Sequence, residues 1–266
     1  MADDALNLLS PPTWPATLTR WGVRLIVLGL ILSAVSGPLT RFGVVGFQAG
    51  LLMLALGVLL LVVGALLAIV GFLAASAKGT PVARGAAAIG IVVALGVLGY
   101  LLTWIRAGAG VPPIHEISTD LASPPPFVAV KEIRDAIPGL NAVEYVAEQP
   151  GRGGAKTNVP EAQRKAYPDI QPLLLEGVAP AGAFARAEAA ARALGWEIVA
   201  SVPAEGRLEA TDTTAFFGFK DDVVVRLRAE GGGTRIDVRS KSRVGLGDAG
   251  TNAKRVRAFL ERVRAG

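Results

Sequence analysis

Asp212, Lys220, Asp221 and Asp222 fall within eleven residues of one another. Carboxylates gathered beside a lysine can share acid and base work if their surroundings split their pKa values. Further on, Arg239, Lys241 and Arg243 recur at every second position, and Gly245-Leu-Gly-Asp-Ala-Gly250 follows. A row of cations beside a glycine turn that opens a helix is suited to an anion, because backbone N–H groups at a helix start point outward. The candidate ligand-binding residues are therefore Arg239, Lys241, Arg243, Gly245, Gly247 and Asp248, with Lys220 and Asp222 beside them. No catalytic residue, metal ligand or cofactor is assigned.

Several chemistries are excluded. The chain has no cysteine, so disulfides, thiolate metal sites and cysteine nucleophiles are out. Its single histidine, His115, opens His-Glu-Ile-Ser-Thr119, in which Thr119 stands where a zinc protease needs its second histidine. Gly245–Gly250 has the spacing of a dinucleotide fingerprint, but the strand before it alternates with charge, unlike a parallel strand buried on both faces. Only 16 residues follow Gly250, too few for the expected second strand and ribose-binding acid. The bland reading of this turn is a helix cap supplied by Asp248 or Thr251. Asp221 and Asp222 are adjacent in a strand pattern, so their side chains should point apart. Pairing of Asp222 with Arg239 or Lys241 across the sheet is expected.

These residues need a sheet to position them. Ile236, Val238, Ser240, Ser242 and Val244 alternate with Asp237, Arg239, Lys241 and Arg243, the signature of a strand with a charged outer face. Residues 222–230 alternate similarly, with Val224 as the exception on the charged side, and so do residues 206–214. The glycines after Glu230 mark a hairpin. A helix over 181–194 and a strand over 196–202 precede this meander. A helix over 252–263 follows it, with Lys254, Arg255, Arg257 and Arg262 expected in water. The fold class is an α+β sandwich, α-β-β-β-β-α in sequence, with helices on one face of a mainly antiparallel sheet.

The N-terminal part is different in kind. Hydrophobic residues make up 52% of the chain and mean hydropathy is +0.47, an excess concentrated in the first hundred residues. Uncharged runs cover 25–40, 42–77 and 85–105. About 20 apolar residues cross a bilayer core, so three transmembrane helices are expected, near 21–40, 48–76 and 84–105. A cytoplasmic tail over 1–20 precedes them. Arg20 and Arg24, with Lys78 and Arg84, outnumber Arg41, which places the stretch before the first helix and the loop between the second and third in the cytoplasm and the C-terminal domain outside. Gly50, Gly57, Gly64 and Gly71 recur every seven residues and predict close helix packing. A linker over 107–126 leads to a soluble domain over 127–266. Eleven of the 17 prolines lie between Val111 and Pro180. Irregular chain lying over other elements is expected there, with a short strand over 142–147 and a short helix over 160–166.

The stretches PPIHEISTD, PPPF, YPDIQPL, GWEI, FGFKDDVVVRL and RIDVRSKSRVGLGDAGTNAKRVRAFL resemble the family catalogued as domain of unknown function 1499, across about residues 111–264. The resemblance implies a bacterial envelope location and a shared fold, with no catalytic residues to carry over. Net charge is only +5, too mild for a nucleic-acid binder. The expected partners are the lipid bilayer and an envelope protein or anionic ligand. The expected function is a non-enzymatic inner-membrane protein whose periplasmic domain binds through the Arg239–Arg243 row and the glycine turn. The alternative is an envelope hydrolase using Asp212, Asp221 and Asp222 with Lys220.

Overall fold

The computed structural model describes residues 13–77, 84–151 and 154–266. Most of the expected cytoplasmic tail, and the loop carrying Lys78, lie outside the described residues. The chain divides into two compact units, Met1–Arg106 with Phe216–Gly218, and Ala107–Ala215 with Phe219–Gly266.

In the first unit, α1 spans Trp14–Arg41, α2 spans Phe47–Ala77 and α3 spans Arg84–Ala109. All three are long and apolar enough to cross a membrane. The first begins earlier than the uncharged run suggests. Pro15 occupies its first turn, where a missing N–H costs nothing. The four glycines of α2 all turn toward α1. A methyl group on Gly64 would lie 2.7 Å from the Gly22 carbonyl oxygen, and one on Gly29 would lie 2.7 Å from that of Gly57. Side chains at these positions would drive the helices apart, so the seven-residue repeat is a packing seam. Ile26, Leu61, Ala65, Ala68 and Ala94 are buried together, which brings α3 into the same cluster.

The second unit is built on a sheet of order β1-β8-β7-β6-β5. Its long strands are β5 (Glu197–Val202), β6 (Arg207–Thr213), β7 (Lys220–Glu230) and β8 (Gly233–Ser242). Two short strands, β1 (Glu116–Ser118) and β4 (Leu173–Glu176), pair in succession along the free edge of β8. They protect an edge that would otherwise be open to another chain. Gly231 and Gly232 turn β7 into β8 with φ of 58° and 77°, a two-residue turn that needs positive φ at both positions.

One sheet face carries Leu208, Ala210, Val223, Val225, Leu227, Ile236 and Val238. Against it pack α6 (Pro180–Ala193) and α7 (Thr251–Ala265), through Phe184, Ala187, Ala191, Val256, Phe259 and Val263. Trp196 stacks on Phe259 with ring centroids 5.1 Å apart. Fully burying side chains of this size contributes about 1.5–3 kcal/mol each before the entropy of ordering the chain. The α+β sandwich follows from this layer.

The opposite face departs from expectation. It is not wet. Residues 119–147 run across it, including the short helix α4 (Ala129–Asp135). Phe127, Val130 and Val143 enclose Val224 in a second apolar cluster. Val224, the one apolar residue on the charged side of β7, is thus where the cover is anchored. No strand forms over 142–147. The pairing there lies just beyond, between β2 (Glu148–Pro150) and β3 (Lys156–Asn158). The short helix, α5, covers Val159–Ala166, with the Asn158 side chain accepting from Glu161 N at its start.

Candidate functional site

Alternation in β8 places Arg235, Asp237, Arg239, Lys241 and Arg243 on the covered face. Arg239 and Lys241 are only 2% and 1% exposed, so neither can meet a partner in solution. The Glu116 carboxylate takes both. Lys241 Nζ donates to one oxygen at 2.9 Å and Arg239 Nε donates to the other. The remaining Arg239 donors reach the carbonyls of Pro125 and Val143 at 3.1 and 2.7 Å. Its guanidinium lies 4.8 Å from the Phe127 ring centroid and 5.7 Å from that of Tyr145. The irregular cover exists because it supplies these acceptors. Burial lowers the Lys241 pKa, against the attraction of Glu116. Burial also pushes the Tyr145 hydroxyl up to about 12, with the Glu116 charge adding to the effect.

Arg243 and Asp222 form a second pair. Two nitrogens of Arg243 donate to the two Asp222 oxygens at 2.9 and 2.7 Å, a bidentate fork. Arg134 of α4 approaches Asp222 at 3.4 Å, and Thr211 Oγ1 donates to it at 2.8 Å. Asp222 lies opposite Lys241 in register, yet its partner is Arg243. The expected pairing with Arg239 or Lys241 is corrected for a simple reason. Glu116, on the neighbouring strand β1, has already taken both cations.

The proposed carboxylate group assembles only in part. Asp221 and Asp222 point to opposite faces of β7. Asp212 and Asp221 are cross-strand partners on the helix face, and Arg255 of α7 joins them at 2.7 Å each. Arg255 is buried, contrary to its expected place in water, because those two acids sit beneath the helix. Asn252, Ser240 and Ser242 complete this layer. Lys220 is exposed at the start of β7.

The glycine turn is filled from within. Asp248 accepts from Gly250 N at 2.8 Å and Asn252 N at 2.7 Å, so its carboxylate takes the N–H groups an anion would use. Gly250 holds a left-handed φ of 80° ahead of the helix. Burial raises the Asp248 pKa, against these hydrogen bonds. Gly245 and Gly247 are exposed. His115 lies under this loop. Its carbonyl accepts from Ser242 N and the Asn252 amide, and its Nδ1 is buried with no hydrogen-bond partner. Burial, then the charges of Lys241 and Arg134, lower its pKa to about 4.

The charged row reaches solvent only at its Arg235 end. Arg226, Arg228 and Arg235 share Asp237, at 2.9 Å in each case, and all three approach Asp120. Burial of Asp120 opposes its ionisation. The N–H groups of Ser123 and Ala122, with Arg235 and Arg226, nevertheless hold its carboxyl below the usual range. Beside this group opens a cleft of about 400 Å³ lined by Asp120, Arg164, Tyr167, Ile170, Gln171 and Arg235, among others. Arg164 is exposed and makes no ion pair among the described residues.

Sequence reasoning missed Glu116, Asp120, Arg134, Glu209 and Arg164. Glu209 is fully buried and receives the N–H groups of Val128, Ala129 and Val130 at the start of α4. The available signal was Val224. An apolar residue on a charged face implies a cover, and a cover over cations must bring acids. Among the described residues no group of acids and histidine is arranged to hold a metal ion.

No curated protein matches the chain. The family model described as "Protein of unknown function (DUF1499)" matches residues 116–263, from the strand that carries Glu116 to the end of the last helix, and the chain belongs to that family.

Proposed function

We propose that this protein is a membrane-anchored, non-enzymatic binding module whose C-terminal domain lies outside the cytoplasm and engages an envelope partner or anionic ligand. The anchoring rests on three helices of sufficient length and apolarity. The orientation rests on the excess of Arg20, Arg24, Lys78 and Arg84 over Arg41 at the ends of the uncharged runs. In a bacterium the membrane is the inner one and the domain is periplasmic.

One observation carries the binding reading. The carboxylates that could do chemistry are each spent in an ion pair, buried for Asp221 on Arg255, Asp222 on Arg243 and Glu116 on Arg239 and Lys241, and partly exposed for Asp212 on Arg255. To take a substrate proton, a carboxylate held in this way would have to give up its cation. Arg239, Lys241, Arg243 and Asp222 therefore form the frame of the domain, and binding falls to what the frame leaves exposed.

Asp212→Asn and Asp221→Asn separate this reading from the hydrolase alternative. Asparagine can still accept from Arg255. Both variants should restore wild-type growth to a deletion strain under envelope stress. Loss of complementation by a variant that retains native near-UV circular dichroism would favour the hydrolase.

A further inference from the structure

The geometry assigns the cleft between Asp120 and Arg164 as a binding site for a small organic anion, a carboxylate or phosphate carried on an apolar body. This rests on the binding reading and names its site and ligand class. Three features of the cleft support it.

The first is charge. Arg226, Arg228 and Arg235 share two carboxylates, those of Asp237 and Asp120. Asp237 is fully buried and therefore committed to its three partners. Of these three only Arg235 lines the cleft, and Arg164 adds a second lining guanidinium, outside any ion pair among the described residues. Glu230 reaches Arg235 at 3.7 Å but is itself half exposed, so water weakens its offset. The cleft thus holds positive charge that its own acids do not neutralise. Guanidinium groups match carboxylate and phosphate oxygens in a two-pronged geometry.

The second is rigidity. The Arg235 guanidinium is fixed at 2.9 Å by Asp237 and at 3.3 Å by Asp120. The floor is fixed by Gln163, whose amide spends both its ends on the Ser118 backbone at 3.0 and 2.6 Å. A positioned cation loses little entropy when a ligand arrives.

The third is shape. A cleft of about 400 Å³ exceeds what a bare ion fills and lies within the size range of small-molecule sites. Tyr167, Ile170 and Pro172 line it as an apolar wall. A ligand with its anionic end toward Arg164 and Arg235, and an apolar body against that wall, uses both surfaces.

The same chemistry could arrive as a free anion or as a lipid headgroup. The test uses the full chain in a zwitterionic detergent, titrated calorimetrically with benzoate and with phenyl phosphate. A parallel arm titrates the same solubilised chain with short-chain phosphatidylglycerol, and with short-chain phosphatidylcholine as the control. Saturable binding in any arm, weakened at least tenfold by Arg164→Ala and unchanged by Arg186→Ala on exposed α6, supports the site. Binding only in the phosphatidylglycerol arm identifies the headgroup as the source. Arg164→Ala bears no ion pair, so loss of fold does not confuse the result. Absence of binding in all arms, or binding equal in Arg164→Ala and wild type, overturns it. If the cleft fails while Asp212→Asn and Asp221→Asn still complement, the binding reading stands without this site. If those variants fail while the anion still binds, the binding reading falls alone.

Discussion

Glu116 lies directly across the strand pair from Lys241 and takes its ammonium at 2.9 Å, while its other oxygen takes Arg239. One carboxylate, 1% exposed, thereby pairs with two buried cations. Glu116→Gln removes that charge and leaves both cations in a dry interior. Breaking a buried pair from one side costs about 3–5 kcal/mol. Urea unfolding of the full chain in detergent should show a loss of that order. A loss below about 1 kcal/mol, the scale of a surface pair, would mean that water reaches the site.

This relationship marks the limit of what the residues disclose in order. The period of two in β8 establishes which side chains share a face, and those faces are as expected. It does not say whether a face is wet. That depends on residues 119–147, which have no period and are placed by the acceptors they offer, such as the carbonyls of Pro125 and Val143. Arg255 shows the same limit from the helix side. Its position on α7 is periodic, but the acids beneath it come from the far ends of β6 and β7. The apolar layer was legible because Ile236, Val238, Phe259 and Val263 have only one favourable place to go. The cleft was not, because Asp120, Arg164 and Arg235 meet only after folding.

His115 should make stability fall in acid. Its folded pKa is near 4, below the ordinary 6.5, so the unfolded chain binds the proton more readily between these values. Stability is therefore complete above about pH 6.5 and declines as pH falls through about 4, by a total on the order of 3 kcal/mol. Asp120, whose pKa is also lowered, adds a loss at more acid pH. In His115→Gln the decline between pH 6.5 and 4 should flatten, as followed by denaturant midpoints across that range. An unchanged slope would contradict the burial of the ring.

Asp248 caps α7 through Gly250 N and Asn252 N. Asp248→Ala should cost about 1 kcal/mol, as for other lost caps, and raise amide hydrogen exchange in the first turn of the helix. Unaltered exchange at Gly250 and Asn252 would show that the carboxylate is not their acceptor.

The α1–α2 seam makes a separate prediction. A methyl group on Gly57 would already lie 2.9 Å from the Gly29 carbonyl oxygen. Gly57→Leu should separate the helices and lower the thermal midpoint of the membrane unit in detergent, where Gly43→Ala, at a turn outside the seam, acts only locally. Equal midpoints for wild type and Gly57→Leu would remove the seam.

The proposed outward placement of the binding domain can be read from a single label. The chain has no cysteine, so Lys254→Cys, at an exposed position on α7, introduces the only thiol. A membrane-impermeant maleimide applied to intact spheroplasts should label it fully, with no gain after lysis. Labelling that appears only after lysis would put the domain in the cytoplasm and contradict the account.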